Sequence, residues 1–190
     1  RDGNVYQTVT IDNQVWMAEN LAYLPSVVGP ATGSATTPYY YVYGYDGTEV
    51  ATAKATANYT TYGVLYNWTA AMASLASSNA NPSGVQGVCP SGWHLPSDAE
   101  WTELTDYLGG ESVAGGKLKE TGTTGFTALP GSSRARSGVF GDDIGSYGYW
   151  WSATEGNALT ALSRYIGNSS DVSSFNYSKD YGYSVRCIKD

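Results

Sequence analysis

The run Cys89-Pro-Ser-Gly-Trp-His-Leu-Pro-Ser-Asp-Ala-Glu-Trp101 sets one of two cysteines just before the single histidine of the chain. Those residue types could build a thiolate–imidazole nucleophile or part of a metal centre. A catalytic Cys89 needs a base within hydrogen-bond reach and surroundings that lower its pKa. His94 could serve, but Pro90, Gly92 and Trp93 read as a turn into a strand, and the residues after Pro96 are explained by helix initiation. Zinc sites are signalled by close ligand pairs of the Cys-x-x-Cys kind, which this sequence lacks. His94 is therefore expected to be structural, held between Trp93 and the helix that follows. The other candidates are carboxylates. Two of them converging in a pocket would mark an enzyme acting on glycans or peptides, and Asp142, Asp143 and Glu155 are the ones to inspect.

The elements that must position these groups are legible in part. NVYQTVTIDNQVWMAENL reads as a β-hairpin turning at Asp12-Asn13. A Gly/Pro/Thr loop follows from Pro25 to Pro38. Tyr39, Tyr41, Tyr43 and Tyr45 then alternate as one face of a strand, with a hairpin turn at Asp46-Gly47; such a stripe could stack on sugars, but packing on the core is the preferred reading. Leu65, Trp68, Met72 and Leu75 fall at helical spacing and predict a first helix from Tyr62 to Ala76. Ser97 and Glu100 form a capping box for a second, with Trp101, Leu104 and Leu108 buried and Gly109-Gly110 as its stop. Strands are expected near Tyr149–Thr154, Ala161–Ile166 and Tyr183–Ile188, with irregular loop from about Gly125 to Gly148.

A length of 190 residues fits a single domain spanning 1–190, and 23 Gly with 17 Tyr and 6 Trp indicate an aromatic, loop-rich α+β protein with a real core. The net charge of −7 opposes nucleic acid and anionic membranes, both of which select basic faces. No run approaches the roughly 18 to 20 apolar residues of a membrane span. The opening residues lack the basic and apolar regions of a signal peptide, and Arg1 in place of Met is expected of a mature or trimmed chain. Low Lys, high Tyr, Asn, Ser and Gly, and two widely separated cysteines suit an exported protein with one disulfide better than a cytosolic thiol protein. Sequons at Asn58, Asn67, Asn168 and Asn176 carry little weight in so Ser/Thr-rich a chain.

YGVLYNWTAAM, GVCPSGWHLPSDAEWTELTDYLGG, YWWSATE, SRYIGN and KDYGYSVRCIKD resemble, in that order, the Fibrobacter succinogenes major paralogous domain, and the opening hairpin fits as well. The resemblance spans nearly the whole chain; the loop and tyrosine stripe before Asp46 are its least family-like part. It implies a C-type-lectin-like fold with two helices, a small, strongly bent antiparallel sheet, adjacent terminal strands and long loops. It also implies a disulfide between Cys89 and Cys187, one in each of two family motifs, and an exported or surface-attached setting in a bacterial envelope. Leu95-Pro-Ser-Asp-Ala-Glu-Trp101 is similar to a run in the more distant formylglycine-generating enzyme, but ALSRYIG at 161–167 lacks that enzyme's cysteines, so its activity is not carried over. Lectin-like domains often bind calcium through loop acids such as Asp142 and Asp143. The lectin Glu-Pro-Asn and Trp-Asn-Asp motifs are absent here, and no loop has the dense Asp/Asn alternation of an EF-hand. Solvated loop acids are the favoured reading, with no metal and no cofactor.

The functional expectation is a non-catalytic ligand-binding or adhesion module recognising a glycan or protein at the cell surface. The alternatives are the carboxylate enzyme and a structural spacer in a larger envelope protein. The closing segment, crowded with Asn, Ser, Tyr and Asp, has the composition of recognition surfaces and resembles the variable region of lectin-like proteins diversified by retroelements; a merely solvated hairpin is the competing reading. Its expected contact residues are Glu155, Asn157, Arg164, Tyr165, Asn168, Asp171, Asn176, Tyr177 and Lys179, with Arg164 and Tyr177 as anchors.

Overall fold

A computed structural model describes residues 3–190. Strands β1 (Thr8–Ile11) and β2 (Gln14–Met17) form the expected hairpin, with Thr8 opposite Met17, and Asp12 takes the left-handed φ of 52° that the turn requires. The tyrosine stripe behaves differently. Strand β3 covers just Tyr40–Tyr41 and pairs with β4 (Leu65–Tyr66), and helices α1 (Val50–Lys54) and α2 (Ala57–Tyr62) occupy the interval where a hairpin was expected. The Tyr45 hydroxyl bonds both the N–H and the carbonyl of Glu49, folding the chain into α1, and the Thr56 hydroxyl caps α2.

The helix expected from Tyr62 to Ala76 is divided. Gly63, at φ 74°, ends α2; Leu65 and Tyr66 are extended; and α3 covers Trp68–Met72, capped by Asn67. Left-handed Ala73 and Ser74 then stop it, so Leu65, Trp68 and Met72 are buried while Leu75 faces solvent. Asn67 explains the break. Its buried amide accepts from the N–H groups of Tyr39 and Ala70 and donates to the carbonyls of Ser34 and Thr37, tying the preceding loop to the start of α3.

Strand β5 (Trp93–His94) leads into α4 (Asp98–Tyr107), where both halves of the Ser97/Glu100 capping box are present. Helix α5 (Glu111–Leu118) follows where a glycine break was expected, making five helices among the described residues instead of two. Its Gly115 is a packing residue: a Cβ there would lie 2.2 Å from the Asp171 carbonyl oxygen. Strands β6 (Gly148–Asn157), β7 (Thr160–Ile166) and β8 (Val172–Ser178) form an antiparallel sheet in that order, and β8 was not expected. The last strand, β9 (Ile188–Lys189), is shorter than expected and joins a second sheet ordered β1-β2-β9-β5, so the chain's closing strand lies against its opening hairpin. Tyr183 and Ser184 make isolated bridges to Tyr66 and Trp150. The fold is thus a mixed helix and strand domain with several small antiparallel sheets rather than one.

The side-chain period of two along a strand separates two cores. Trp16, Trp150 and Ile188 enter one, with Trp101, Leu104, Leu118 and Phe126 from α4, α5 and the following loop. Their chain neighbours Met17, Trp151 and Cys187 enter the other, with Trp68, Met72, Leu95 and Tyr183. Cys89 and Cys187 are disulfide-bonded in this second core. Closing a loop of about 100 residues corresponds to roughly 4.7 kcal/mol in the chain-entropy account. Two buried arginines serve as internal struts. Arg134 donates to the carbonyls of Pro30 and Asp180 under the Tyr41 ring, and Arg186 donates to the carbonyls of Met17 and Phe126 and to the Asn20 amide oxygen. Burial holds the Arg186 pKa down at about 9.

Candidate functional site

Two groups of side chains have the density and chemistry of a site. The first surrounds the N-terminal turn of α4. Glu100 reaches back to the N–H groups of Ser97 and Ser83 with one carboxylate oxygen and lies 2.7 Å from His94 Nε2 with the other. His94 Nδ1 is 2.7 Å from Asp190. With an acidic oxygen at each ring nitrogen, the imidazolium, which donates at both, is the form that satisfies the geometry. Burial lowers the imidazole pKa, but the hydrogen bonds to Glu100 and Asp190 outweigh it, and the net shift is upward. Cys89 is held in the disulfide, so no thiolate faces this histidine. The expected structural role is what the contacts describe.

Two residues before Glu100, Asp98 receives Arg164. This side chain, 1% exposed, donates from Nε and Nη2 to Asp98, from Nη1 to Glu111 at 2.7 Å, and from Nη2 to the Thr102 hydroxyl. It staples β7 to the first turns of α4 and α5, where carboxylates are favoured by the helix dipole. Its guanidinium is fully engaged inside the protein and is not presented to a ligand.

The second group lies on the opposite face of the β6-β7-β8 sheet. Register places Tyr149 and Trp151 opposite Tyr165 and Ser163, and these opposite Ser173 and Phe175, with Tyr177 opposite Ala161. Side chains two apart share a face, so Tyr149, Trp151, Tyr165, Phe175 and Tyr177 stand together. Tyr147 stacks on Tyr165 at 5.4 Å, Phe175 bridges Tyr165 and Tyr177 at 6.2 and 5.9 Å, and Tyr181 closes on Tyr177 at 5.4 Å. Trp151 and Tyr183 form the buried floor, Phe175 is 46% exposed, and Tyr147, Tyr149, Tyr165, Tyr177 and Tyr181 are half-buried. Asp143 sits at one end, accepting from the hydroxyls of Tyr149 and Ser132. Burial, then the neighbouring Tyr147, Asp171 and Asp143, push Tyr165 up to about 12, and burial with the Asp143 bond raises Tyr149 further. At neutral pH these phenols are neutral hydroxyls.

The expected contact residues do not form one patch. Tyr165 and Tyr177 belong to the aromatic face, while Asn176 and Arg164 pair with positions of opposite parity and point to the helix side. Glu155, Asn157 and Lys179 gather at the β6–β7 turn. There Lys179 is buried over the Trp68 ring and bonded to Glu155, and the Asn157 amide oxygen accepts from the N–H groups of Leu159 and Thr160. Asn168 and Asp171 lie at the other end of β7. Asp171 accepts from the hydroxyls of Ser169 and Ser173, which hold its carboxyl below the usual range. Asp143 and Glu155 are likewise separated: Tyr149, which donates to Asp143, and Glu155 itself pair with Tyr165 and Ala161, roughly 13 Å apart along β7. The tyrosine stripe packs inward, with Tyr41 buried and Tyr43 bonded to the Gly141 carbonyl. Phe175, Tyr147 and Tyr181 were missed, although the alternation of Ser173, Phe175 and Tyr177 carried the signal.

Among the described residues no group of three or more His, Cys, Asp or Glu is placed to hold a metal ion, and no helix is long and apolar enough to cross a membrane. A family model, that of the Fibrobacter succinogenes major domain, matches residues 9–189. Comparison with curated proteins and with solved structures gave no match.

Proposed function

We propose that this chain, which belongs to the Fibrobacter succinogenes major domain family, is a non-catalytic ligand-binding or adhesion module of an exported or surface-attached bacterial protein, with a C-type-lectin-like arrangement. The observation that carries this reading is the half-open aromatic face running from Tyr147 through Tyr165 and Phe175 to Tyr181. Exposed contiguous apolar surface rimmed by polar groups marks interaction sites, and tyrosine offers rigid amphipathic contact at small entropic cost. The reverse face of the sheet is fastened to α4 and α5 through Arg164. The disulfide supports an oxidising location, and the closing strand beside the opening hairpin supports the lectin-like topology. Separation of Asp143 from Glu155, each bonded locally, favours binding over glycoside hydrolysis, whose carboxylates stand about 5 to 9.5 Å apart.

The test is a glycan and protein binding screen with the intact domain, repeated with Phe175→Ala and Tyr177→Ala. Loss of the captured ligand in both folded variants is the expected result. Retention in both, or turnover of a glycan or peptide by the wild-type domain, overturns the reading.

A further inference from the structure

Inside this protein, cations repeatedly lie over aromatic rings: Arg134 over Tyr41 at 5.2 Å, Lys179 over Trp68 at 4.5 Å and Arg186 over Phe126 at 4.5 Å. The aromatic face has rings and carboxylates but lacks the cation. Among the described residues, none with a positive side chain lies over Tyr147, Tyr165, Phe175, Tyr177 or Tyr181. Of the basic groups near its edges, Arg136 pairs with Asp180 at 3.4 Å, Lys179 is bonded to Glu155, and Lys119 donates to the carbonyls of Asn168 and Ser169 while its charge adds a minor share to holding the Asp171 carboxyl low. Asp143 is held by hydroxyls alone, Asp142 beside it is exposed, and Asp171 is bonded to two serines, so none of the three forms an ion pair among the described residues. Both Asp143 and Asp171 act electrostatically on Tyr165.

We infer that this face takes a cationic protein segment, its arginine or lysine side chains laid over Tyr147, Tyr165 and Phe175 with Asp143 and Asp171 as counter-charges. The inference rests on the binding reading above and names its partner class. Charge complementarity carries it. A cation within about 6 Å of a ring is attracted to the face of the π-system, and a carboxylate held by hydroxyls keeps its full charge for an incoming partner. Neutral tyrosine hydroxyls add hydrogen-bond acceptors for guanidinium N–H groups. The net charge of −7 adds long-range attraction for a basic partner.

The experiment titrates the intact, disulfide-bonded domain with a hexa-arginine peptide amide and, separately, with cellohexaose and chitohexaose, by calorimetry at two salt concentrations. The expected result is saturable peptide binding that weakens with salt, falls at least tenfold in Tyr165→Ala and in Asp171→Asn, and is unchanged in Asp106→Asn on the far side of α4. Asp142→Asn, which removes a charge without touching any hydrogen bond seen here, should weaken binding severalfold. Peptide binding that drops equally in Asp106→Asn would be diffuse attraction to an acidic protein and would overturn the inference, as would no peptide binding at all. Oligosaccharide binding lost in Phe175→Ala, with no peptide binding, would overturn the cationic partner while leaving the aromatic binding face intact.

Discussion

The two faces of the β6-β7-β8 sheet handle charge in opposite ways. On the helix side, Arg164 meets Asp98 and Glu111, and two residues further along α4 His94 meets Glu100; Arg164 and His94 each have an opposite charge within 2.7 to 2.8 Å. On the other side, Asp143 and Asp171 are met by hydroxyls, and the rings around them remain partly open. A low-dielectric interior penalises any unpaired charge, so the first arrangement is what a packed core demands. The second is tolerable because it is half hydrated, and it leaves attraction unspent. The deeply buried charges are thus paired with an opposite charge or, like Arg186, saturated by carbonyls, whereas the half-open carboxylates are met mainly by hydroxyls.

The sharpest break of the paired side is His94→Ala. It strips a 2% exposed Glu100 of its ionic partner, and removing one member of a buried pair costs roughly 3 kcal/mol or more. The interaction also fixes a pH dependence. The folded pKa of His94 lies above the ordinary imidazole value of about 6.5, so its stabilisation is complete below about pH 6.5 and is lost as pH rises through the higher folded value. Urea unfolding from pH 6 to 8 should show falling stability, and His94→Gln should flatten that slope. His94 is the one histidine of the chain, so a flat wild-type profile would break the pairing outright.

Arg164→Ala comes next, at about 2 kcal/mol. The loss is smaller because Asp98 and Glu111 are 21% and 52% exposed and can be rehydrated. Thermal unfolding should show Arg164→Lys recovering only part of the loss, since an ammonium cannot span both carboxylates as the planar fork does. The contacts behind this loss hold the guanidinium against Asp98, Glu111 and Thr102 at the position where a ligand anchor was expected. Ser97→Ala should cost about 1 kcal/mol, by loss of the cap on α4, measured the same way.

These outcomes also bear on what the sequence could disclose. The opening hairpin and the α4 cap were legible because their signals are local: a turn residue able to take positive φ, and two side chains three apart that satisfy each other's backbone. The helix stripe through Leu65, Trp68 and Met72 misled because a strand followed by a short helix can bury the same positions. Helix α5 was hidden behind the Gly109-Gly110 stop, and its own Gly115 answers to a distant constraint, the carbonyl of Asp171. At the candidate site, residue type marked the closing segment but could not reveal burial. Arg164 and Lys179 were chosen as contacts for the charge that in fact fastens them inside.

The smallest stability effect is expected at Phe175, and it separates the two faces most directly. The ring is 46% exposed and contacts Tyr165 and Tyr177 edge-on or tilted, with no hydrogen bond or charge depending on it. Replacing it by alanine should therefore change unfolding free energy by about 0.5 kcal/mol or less, against the several-fold larger losses across the sheet. Yet it links the ring pairs at either end, Tyr147 with Tyr165 and Tyr177 with Tyr181, and its removal splits one continuous platform into two. Ligand affinity should fall by at least tenfold while the melting curve hardly moves. If Phe175→Ala instead unfolds the domain as severely as Arg164→Ala, the aromatic face is core surface held closed, and the contrast between the faces disappears.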